Sequence, residues 1–251
     1  MLSLLPAAAA ALSASLPAFS DFDLGDDGWT VTTREGLFSY APVAQGPIAP
    51  AHATGGGDPG GFIEITDPDE HVTFFNAPPQ DLGDRTDAIG GGIEWSIRTD
   101  ACDFFAARLV ILASDGYAIS ALADAEPAPG SWTRLRVPLH GGRWYLGTAA
   151  GSDNAEPAFQ HEIDWFLERV DMLLISGETS AGTGETVALD SVRFTAACPG
   201  DRDLDGAVTV HDLLDFLAWF RAGFADHDRS GATEVNDLLA FLGDFRGGCG
   251  G

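Results

Sequence analysis

Two acidic loops of twelve residues near the C-terminus hold the side chains best suited to chemistry. Calcium binds six to eight oxygen atoms, and a loop of this length supplies them from positions 1, 3, 5, 7, 9 and 12. Gly206 and Gly231 stand at position 6, where a sharp turn is needed, and position 7 offers a main-chain carbonyl oxygen. One such loop could be an acidic surface loop without a ligand, but the repeat favours two calcium ions. The predicted ligands are Asp201, Asp203, Asp205, Ala207, Thr209 and Asp212 in the first loop, and Asp226, Asp228, Ser230, Ala232, Glu234 and Asp237 in the second.

The same apolar pattern follows each loop and predicts a short helix. Gly223 and Gly247 are expected to end these helices in a left-handed conformation. Two helices of this size bury their apolar faces mainly against each other, so metal binding is expected to drive folding. The residues that share one face are Leu213, Phe216, Leu217 and Phe220 in the first helix and Leu238, Phe241, Leu242 and Phe245 in the second.

The segment before the first loop separates this pair from ordinary EF-hands. Cys198-Pro199-Gly200 cannot form the helix that usually enters such a loop. A loop followed only by an exit helix, present twice, resembles the dockerin module of secreted bacterial proteins over residues 198–249. The resemblance implies a small α-helical, calcium-loop domain that presents its helices to a cohesin-like or other surface receptor.

Recognition residues and cysteines refine this resemblance. Dockerins usually carry small hydroxyl residues at loop positions 10 and 11, whereas these loops carry Val-His and Val-Asn. The departure puts a conventional cohesin partner in doubt and favours surface anchoring. Because dockerin ends lie close together, the resemblance implies a disulfide between Cys198 and Cys249, worth roughly 2–4 kcal/mol. In the alternative, Cys249 stays free for covalent attachment to a partner; Cys102 is expected to be a buried, apolar residue.

Composition and the first residues bear on the compartment. The chain has 38 acidic and 13 basic residues and a formal net charge of −25, which argues against nucleic acid and anionic membrane surfaces as partners. Residues 1–18 are predicted to be a signal peptide. A transmembrane anchor is disfavoured because the apolar run is short and is broken by Pro6 and Pro17. These features predict a protein that is secreted or held at the bacterial cell surface, without membrane insertion.

Residues 19–196 have the pattern of a mainly β, jelly-roll-like sandwich. Short apolar or alternating runs are separated by Gly, Pro and Asp turns, with Gly55–Gly61 as one such turn. One helix is expected over residues 158–167. The predicted strands cover residues 61–66, 72–75, 92–97, 107–112, 117–122, 132–137, 171–176 and 187–194.

A series of landmarks in this domain resembles the laminin B domain, also called laminin IV type A. The resemblance implies an extracellular adhesion or binding domain. The sequence departs from the family at Ile89, where an aromatic residue is common, and at Ser176, where a basic residue often stands. The matching stretches are Asp27-Gly28-Trp29, residues 56–61, residues 73–78, residues 82–84, residues 89–91, Trp132 with Leu139 and Trp144, residues 166–175 and residues 189–192.

Two sets of residues in the sandwich have alternative roles. Asp190 lies in the apparent last strand, where it could hold a structural calcium together with Asp21 and Asp23, as in related sandwiches, or face solvent. The large aromatics are expected in the core, with a sugar-stacking surface as the alternative. The four tryptophans concerned are Trp29, Trp95, Trp132 and Trp144.

No motif for catalysis stands out. Carboxylates are abundant, but there is no Gly-x-Ser-x-Gly elbow, no His-Glu-x-x-His helix and no Gly-rich phosphate loop. The expected function is therefore a non-catalytic protein whose calcium-dependent module anchors or docks a laminin-B-like domain. One alternative is an accessory protein that binds an extracellular glycan for a polysaccharide-degrading system. A second alternative is a small glycoside hydrolase.

Overall fold

The computed structural model describes residues 19–37, 41, 43–146, 150, 155–195 and 198–249. The predicted signal peptide, residues 1–18, lies outside these ranges, as do Ala196 and Ala197, where the predicted domains would join. Within the described ranges, no helix is long and apolar enough to cross a membrane.

Fourteen strands precede the C-terminal helices in the described part of the chain. Short 3-10 turns at Pro79–Asp81, Thr86–Ala88 and Phe105–Arg108 connect some of them. The strands are β1 (Phe19–Ser20), β2 (Thr30–Arg34), β3 (Val43–Ile48), β4 (Ala51–Gly57), β5 (Gly60–Thr66), β6 (Val72–Asn76), β7 (Gly92–Thr99), β8 (Leu109–Ser114), β9 (Tyr117–Leu122), β10 (Thr133–Pro138), β11 (Tyr145–Leu146), β12 (Glu156–Pro157), β13 (Met172–Ser176) and β14 (Thr186–Thr195).

These strands form two antiparallel sheets with a shared core. One sheet has the order β10-β7-β14-β5-β4, with β1 paired to the far part of β14; the other runs β12-β11-β9-β8-β13-β6-β2-β3. Trp95 and Leu189 from the first sheet and Val31, Phe75 and Leu112 from the second belong to one buried apolar cluster. The prediction of a mainly β fold is confirmed, because large apolar residues from both sheets pack face to face.

Three helices complete the described fold, and their ends follow local hydrogen bonding. They are α1 (Gln160–Glu168), α2 (Val210–Ala222) and α3 (Val235–Gly247). Gly223 ends α2 with a φ of 84°, as expected. The prediction that Gly247 ends α3 is wrong by one residue: Gly247 is still helical, and Gly248 takes the positive φ of 67° while its N–H bonds the Asp244 carbonyl oxygen at 3.0 Å.

The turn expected over Gly55–Gly61 is also tighter than predicted. Strand β4 continues through Gly57 and β5 starts at Gly60, so only Asp58 and Pro59 form the connection. Glycine can be extended as well as turned, and the run of glycines therefore hid the end of a strand.

Helices α2 and α3 pack through their aromatic residues. Phe216 and Phe241 are fully buried, and their rings stack with centroids 4.1 Å apart. Ala225 is buried beside this pair, and the other apolar residues around it are only partly buried. The module core is therefore small, and the expectation that metal binding drives its folding stays a prediction.

Candidate metal centres

The two C-terminal loops each gather three carboxylates around one point. Oxygens of Asp201, Asp203 and Asp212 lie within 4.8 Å of one another. Asp226, Asp228 and Asp237 form the same group in the second loop. These are positions 1, 3 and 12 of each loop. Two oxygens bound to one calcium ion, at 2.3–2.6 Å each, lie no more than about 5 Å apart, so both groups fit this ion.

The two loops share the same backbone turns. Gly206 and Gly231 at position 6 have φ values of 89° and 87°. Leu204 and Arg229 at position 4 also have positive φ, at 56° and 61°. A non-glycine residue rarely adopts this conformation, so its recurrence at the same position shows that the surrounding hydrogen bonds impose the loop shape.

Matching hydrogen bonds join backbone amides to the carboxylates at positions 1 and 12. The position 1 carboxylate accepts from the amides of positions 5 and 6, and the position 12 carboxylate accepts from those of positions 2, 3 and 9. The distances lie between 2.6 and 3.3 Å. The carboxylates are therefore held in place by the backbone before any side chain contributes.

The aspartate at position 12 also starts the helix that follows. Asp212 Oδ2 accepts from the Thr209 amide at 2.7 Å, and Asp237 Oδ2 accepts from the Glu234 amide at 2.6 Å. Both aspartates are fully buried. A short side chain at this position thus couples the loop to its helix, because one carboxylate caps the first turn and faces the other acids.

Two further carboxylates predicted as ligands, those of Asp205 and Glu234, lie outside these groups. Asp205 and Glu234 are exposed, and Glu234 Oε1 accepts from the Asn236 side chain at 2.8 Å. Ser230 Oγ donates to the Ala232 carbonyl oxygen at 3.3 Å, and Thr209 Oγ1 donates to Asp212. The Ala207 amide donates a hydrogen bond to the Asp205 carboxylate at 2.8 Å. The structure thus brings together three of the four carboxylates predicted as ligands in each loop.

Burial has a direct electrostatic cost in both loops. It raises the pKa of Asp201 and of Asp226, and the carboxylates beside each add to the increase, while backbone amides partly oppose it. Like charges held together in this way attract a cation. The residues present therefore fit a hard divalent ion with oxygen ligands.

A disulfide closes the C-terminal module. Cys198 and Cys249 are bonded, with their Cα atoms 5.1 Å apart. Cys198 stands just before the first loop and Cys249 just after α3, so the bond links the two ends of the paired repeat. Cys102 has no disulfide partner and is half-buried rather than fully buried, and the pKa of its thiol is raised by burial.

The first loop is fastened to the sandwich through Arg202. This residue is buried, and its guanidinium donates to His140 Nδ1 at 2.9 Å while its carbonyl oxygen lies 3.0 Å from His140 Nε2. The His140 ring therefore carries its proton on Nε2. Arg202 also lies over the Phe216 ring and 3.7 Å from Asp215. Loop, helix and sandwich thus meet at a single side chain.

The three acids predicted to hold calcium within the sandwich are not clustered as the C-terminal acids are. Oxygens of Asp21, Asp23 and Asp190 do not all lie within 4.8 Å of one another. Asp190 is fully buried, so the solvent-facing alternative is wrong. Its carboxylate accepts from the amides of Asp58 at 2.5 Å and Ser191 at 2.6 Å, at the bulge where β1 replaces β5 beside β14.

The sandwich contains a different group of three acids that the sequence pattern does not indicate. Asp67, Glu178 and Glu185 are buried, and one oxygen of each lies within 4.8 Å of the others. They belong to loops far apart in the chain, so no spacing pattern signals them. Only the pairing of the strands brings them together.

The tryptophans divide between core and surface. Trp29, Trp95 and Trp144 are buried, in agreement with their expected core role. Trp132 is half-buried and packs edge-on against Phe62. The sequence did not single out the exposed pair Tyr117 and Trp165, whose ring centroids lie 6.1 Å apart.

Comparisons with known proteins find one matching family and several similar solved structures. The family model of laminin B (domain IV) matches residues 74–211. No curated protein sequence matches the chain. Three similar solved structures are the L4b domain of human laminin alpha-2 (12% identity, 71% of this chain and 96% of that chain, TM-score 0.48), the family 11 carbohydrate-binding module of the cellulosomal cellulase Lic26A-Cel5E of Clostridium thermocellum (15%, 74% and 98%, 0.43) and an exo-beta-agarase (13%, 85% and 31%, 0.45).

The matched residues include most of the two sheets, with strands β7 to β14 entirely inside the match. They continue through the first eleven residues of the first acidic loop and end in the first turn of α2. Because the match spans more than half of the sequence, this chain belongs to the laminin B (domain IV) family.

Proposed function

We propose that this chain is a secreted, non-catalytic protein whose C-terminal module binds two calcium ions and docks the laminin B domain onto a receptor at the cell surface. The observation that supports this most strongly is the repeated set of hydrogen bonds around Asp201 with Asp212 and around Asp226 with Asp237. Two loops with equal spacing, equal turns and buried acids at positions 1 and 12 are best explained by binding of the same kind of ligand in each.

Each repeat also presents an apolar pair that is well placed for docking. Val210 and Leu214 lie one turn apart at the start of α2, and Val235 and Leu239 occupy the same places on α3. All four side chains are between 57% and 62% exposed. Solvent-exposed pairs of this kind on matched helices favour contact with an apolar surface of a partner protein.

The other side of α2 is unavailable to a partner. Trp219 faces Gly142 of the sandwich, and Phe224, which follows the helix, packs against Phe159 with ring centroids 5.2 Å apart. A receptor is therefore expected to engage the N-terminal ends of α2 and α3. Because valine replaces the small hydroxyl residue at position 10, we expect a cohesin-like or other receptor with an apolar contact surface.

Docking can be tested by applying the full-length protein to cells of its native host. We expect binding in calcium and at least a tenfold loss of binding in a calcium chelator. The combined change Val210→Ser, Leu214→Ser, Val235→Ser and Leu239→Ser should cause a similar loss. Leu24→Ser is the matched control, because Leu24 is 98% exposed on the sandwich. Binding that ignores both calcium and the four substitutions would rule out docking by this module.

A second candidate function is binding of an extracellular glycan by the sandwich. Tyr117 and Trp165 are exposed beside each other and line a surface groove with Leu146, His161 and Glu162. An exposed aromatic pair beside polar groups can stack on a sugar ring and donate hydrogen bonds to its hydroxyls. The two functions are compatible, since the groove lies on α1 and β9 and the docking pairs on α2 and α3.

A glycan array separates these candidates. If the groove binds sugar, the full-length protein should retain specific glycans, and Tyr117→Ala with Trp165→Ala should abolish retention. Phe105→Ala, which removes another exposed aromatic ring, is the control. An absence of hits would remove the glycan candidate, and product release from a polysaccharide panel would contradict the proposal that the chain is non-catalytic.

A further inference from the structure

The sandwich contains a buried acidic cluster, Asp67, Glu178 and Glu185, where two loops cross between the sheets. Asp67 follows β5, and Glu185 immediately precedes β14; both strands belong to the same sheet. Glu178 follows β13 of the other sheet. The Asp67 amide donates to the Glu185 carbonyl oxygen at 2.8 Å. The cluster therefore lies where loops that connect strands of the two sheets meet.

Burial of these three acids is nearly complete. Asp67 and Glu185 are each 5% exposed, and Glu178 is 7% exposed. Among the described residues, no ion pair involves any of the three. His71, in the same loop as Asp67, pairs with Asp69. Three carboxylates that are almost fully removed from water and lack a basic partner among the described residues are strongly unfavourable unless something offsets their charge.

Hydrogen bonds satisfy only part of the cluster. Thr73 Oγ1 donates to Asp67 Oδ1 at 2.5 Å, the Thr73 amide donates to Glu178 Oε2 at 3.1 Å, and the Ser180 amide donates to Glu185 Oε1 at 3.2 Å. The second oxygens of Asp67 and Glu185 are buried and have no hydrogen-bond partner in the described part of the chain. A buried acceptor without a donor costs free energy, so these oxygens are suited to bind an electropositive ligand.

We propose that Asp67, Glu178 and Glu185 bind a hard divalent cation, with calcium the best fit. One oxygen of each lies within 4.8 Å of the others, which allows a single ion to touch all three at 2.3–2.6 Å. The ion would tie the β5–β6 loop to the β13–β14 loop. This site is independent of the two C-terminal loops and belongs to the laminin B domain itself.

The cluster is electrostatically unfavourable when all three acids are charged. Burial, together with the neighbouring carboxylates, raises the pKa of Asp67 to about 6 and that of Glu178 to about 7. A divalent cation among the three acids would remove the repulsion that adds to these increases. Shared protons are the competing way to neutralise the cluster.

The first test uses the full-length protein with both C-terminal loops disabled by Asp201→Asn, Asp203→Asn, Asp226→Asn and Asp228→Asn. After dialysis against calcium, bound metal is counted by mass spectrometry. We expect one calcium ion per chain to remain, and magnesium in excess should displace it poorly. A chain that retains no calcium would overturn the proposal in favour of shared protons.

The second test leaves those loops intact. Asp67→Asn with Glu185→Gln should lower the calcium content by one ion per chain relative to the unchanged protein. Glu70→Gln, an exposed acid in the same loop as Asp67, is the control and should change nothing. Equal calcium content in all three proteins would overturn the proposal.

The two tests also separate this proposal from the proposed function. If the C-terminal loops bind no calcium, the unchanged and the loop-disabled proteins should hold the same single ion. If the buried cluster binds none, the unchanged protein should hold two ions and the loop-disabled protein none. The first test leaves the cluster untouched. It therefore shows whether the cluster binds calcium even if Asp67→Asn with Glu185→Gln impairs folding.

Discussion

At the scale of single residues, the carboxylates of each C-terminal loop have unequal roles. Asp201 and Asp226 accept backbone amides from the turn and are buried, whereas Asp205 is exposed at the loop tip. Removing a buried charge at position 1 should therefore cost more metal affinity than removing an exposed one, because the buried acid has its oxygens fixed towards the site.

Asp201→Asn and Asp226→Asn are each expected to weaken one calcium site by about 100-fold and to leave the other site intact. Calorimetric titration of the full-length protein measures both sites. Glu168→Gln, an exposed acid at the end of α1, controls for the change in net charge. If either substitution left both affinities unchanged, position 1 would not be a ligand.

His140 gives the contact between sandwich and module a dependence on pH. Its pKa lies well below the ordinary value, first because of burial and then because of the Arg202 charge. In the unfolded chain the imidazole binds a proton below about pH 6.5, whereas in the folded protein it stays neutral to lower pH. The contribution of His140 to the free energy of unfolding is therefore fully present above pH 6.5. It is lost as the pH falls through the range between the unfolded and the folded pKa.

We expect acidification from pH 7 to pH 5 to lower the free energy of unfolding, with a contribution from His140 of at most about 1.4 kcal/mol per pH unit. Chemical denaturation of the unchanged protein and of His140→Gln isolates this contribution, since glutamine does not titrate. His161→Gln, at an exposed position on α1, is the control. The same slope in the unchanged protein and in His140→Gln would show that His140 does not stay neutral in the fold.

At the scale of elements, most central strands and the edge strand β10 were predicted, whereas the edge strands β3 and β4 and the central strand β2 were not. Strands β8 and β9 alternate or are continuously apolar, and they lie inside their sheet with neighbours on both sides. Strands β3 and β4 end their sheets, are largely exposed, and contain Pro47 or three consecutive glycines. These two edge strands have no apolar pattern to reveal them, because solvent covers much of their surface.

The same contrast holds for the sites. Each C-terminal loop is local in sequence, so residue spacing alone predicted Asp201 and Asp226 among its ligands. Asp67, Glu178 and Glu185 come together only after β5, β6, β13 and β14 have paired. Long-range pairing depends on the whole core, and no property of these three residues in isolation announces it.

The disulfide is expected to matter most for the module formed by α2 and α3. Its sequence separation is 51 residues, and closing a loop of that size restricts the unfolded chain enough to add about 2–4 kcal/mol. Cys198→Ser with Cys249→Ser should lower the stability of the module by this amount, most visibly without calcium. Hydrogen exchange of residues 198–249 measures it, and Cys102→Ser is the control.

Unchanged exchange in the double variant would mean that metal and packing alone hold the ends together. A change confined to the sandwich would be equally inconsistent, because neither Cys198 nor Cys249 lies within a sandwich strand.

At the scale of the whole molecule, the sandwich and the C-terminal module are in direct contact. Arg136 donates to the Leu204 carbonyl oxygen, and Arg229 lies 3.6 Å from Asp164 of α1. Gly142, with a φ of 83°, lies so close to the Trp219 ring that a β-carbon would overlap it. The module is therefore positioned against the sandwich by contacts from several elements, and its orientation should be fixed when the interface is intact.

Gly142→Val should push Trp219 away and expose the interface to protease. Limited proteolysis is expected to accelerate at least tenfold between residues 195 and 210. Gly130→Val is the matched control: it shares a positive φ, of 78°, but has open space around its α-carbon. Equal cleavage of both variants would mean that backbone strain, not contact with Trp219, causes the change.

The central claim is that calcium organises the C-terminal module of this laminin B protein, and hydrogen exchange with and without calcium tests it most directly. In the full-length protein we expect calcium to protect residues 201–247 strongly, including the amides bonded to Asp212 and Asp237. Sandwich amides remote from both the module and the Asp67 cluster, such as those of β8 and β9, should change little. Exchange across residues 201–247 that is the same with and without calcium would contradict the account.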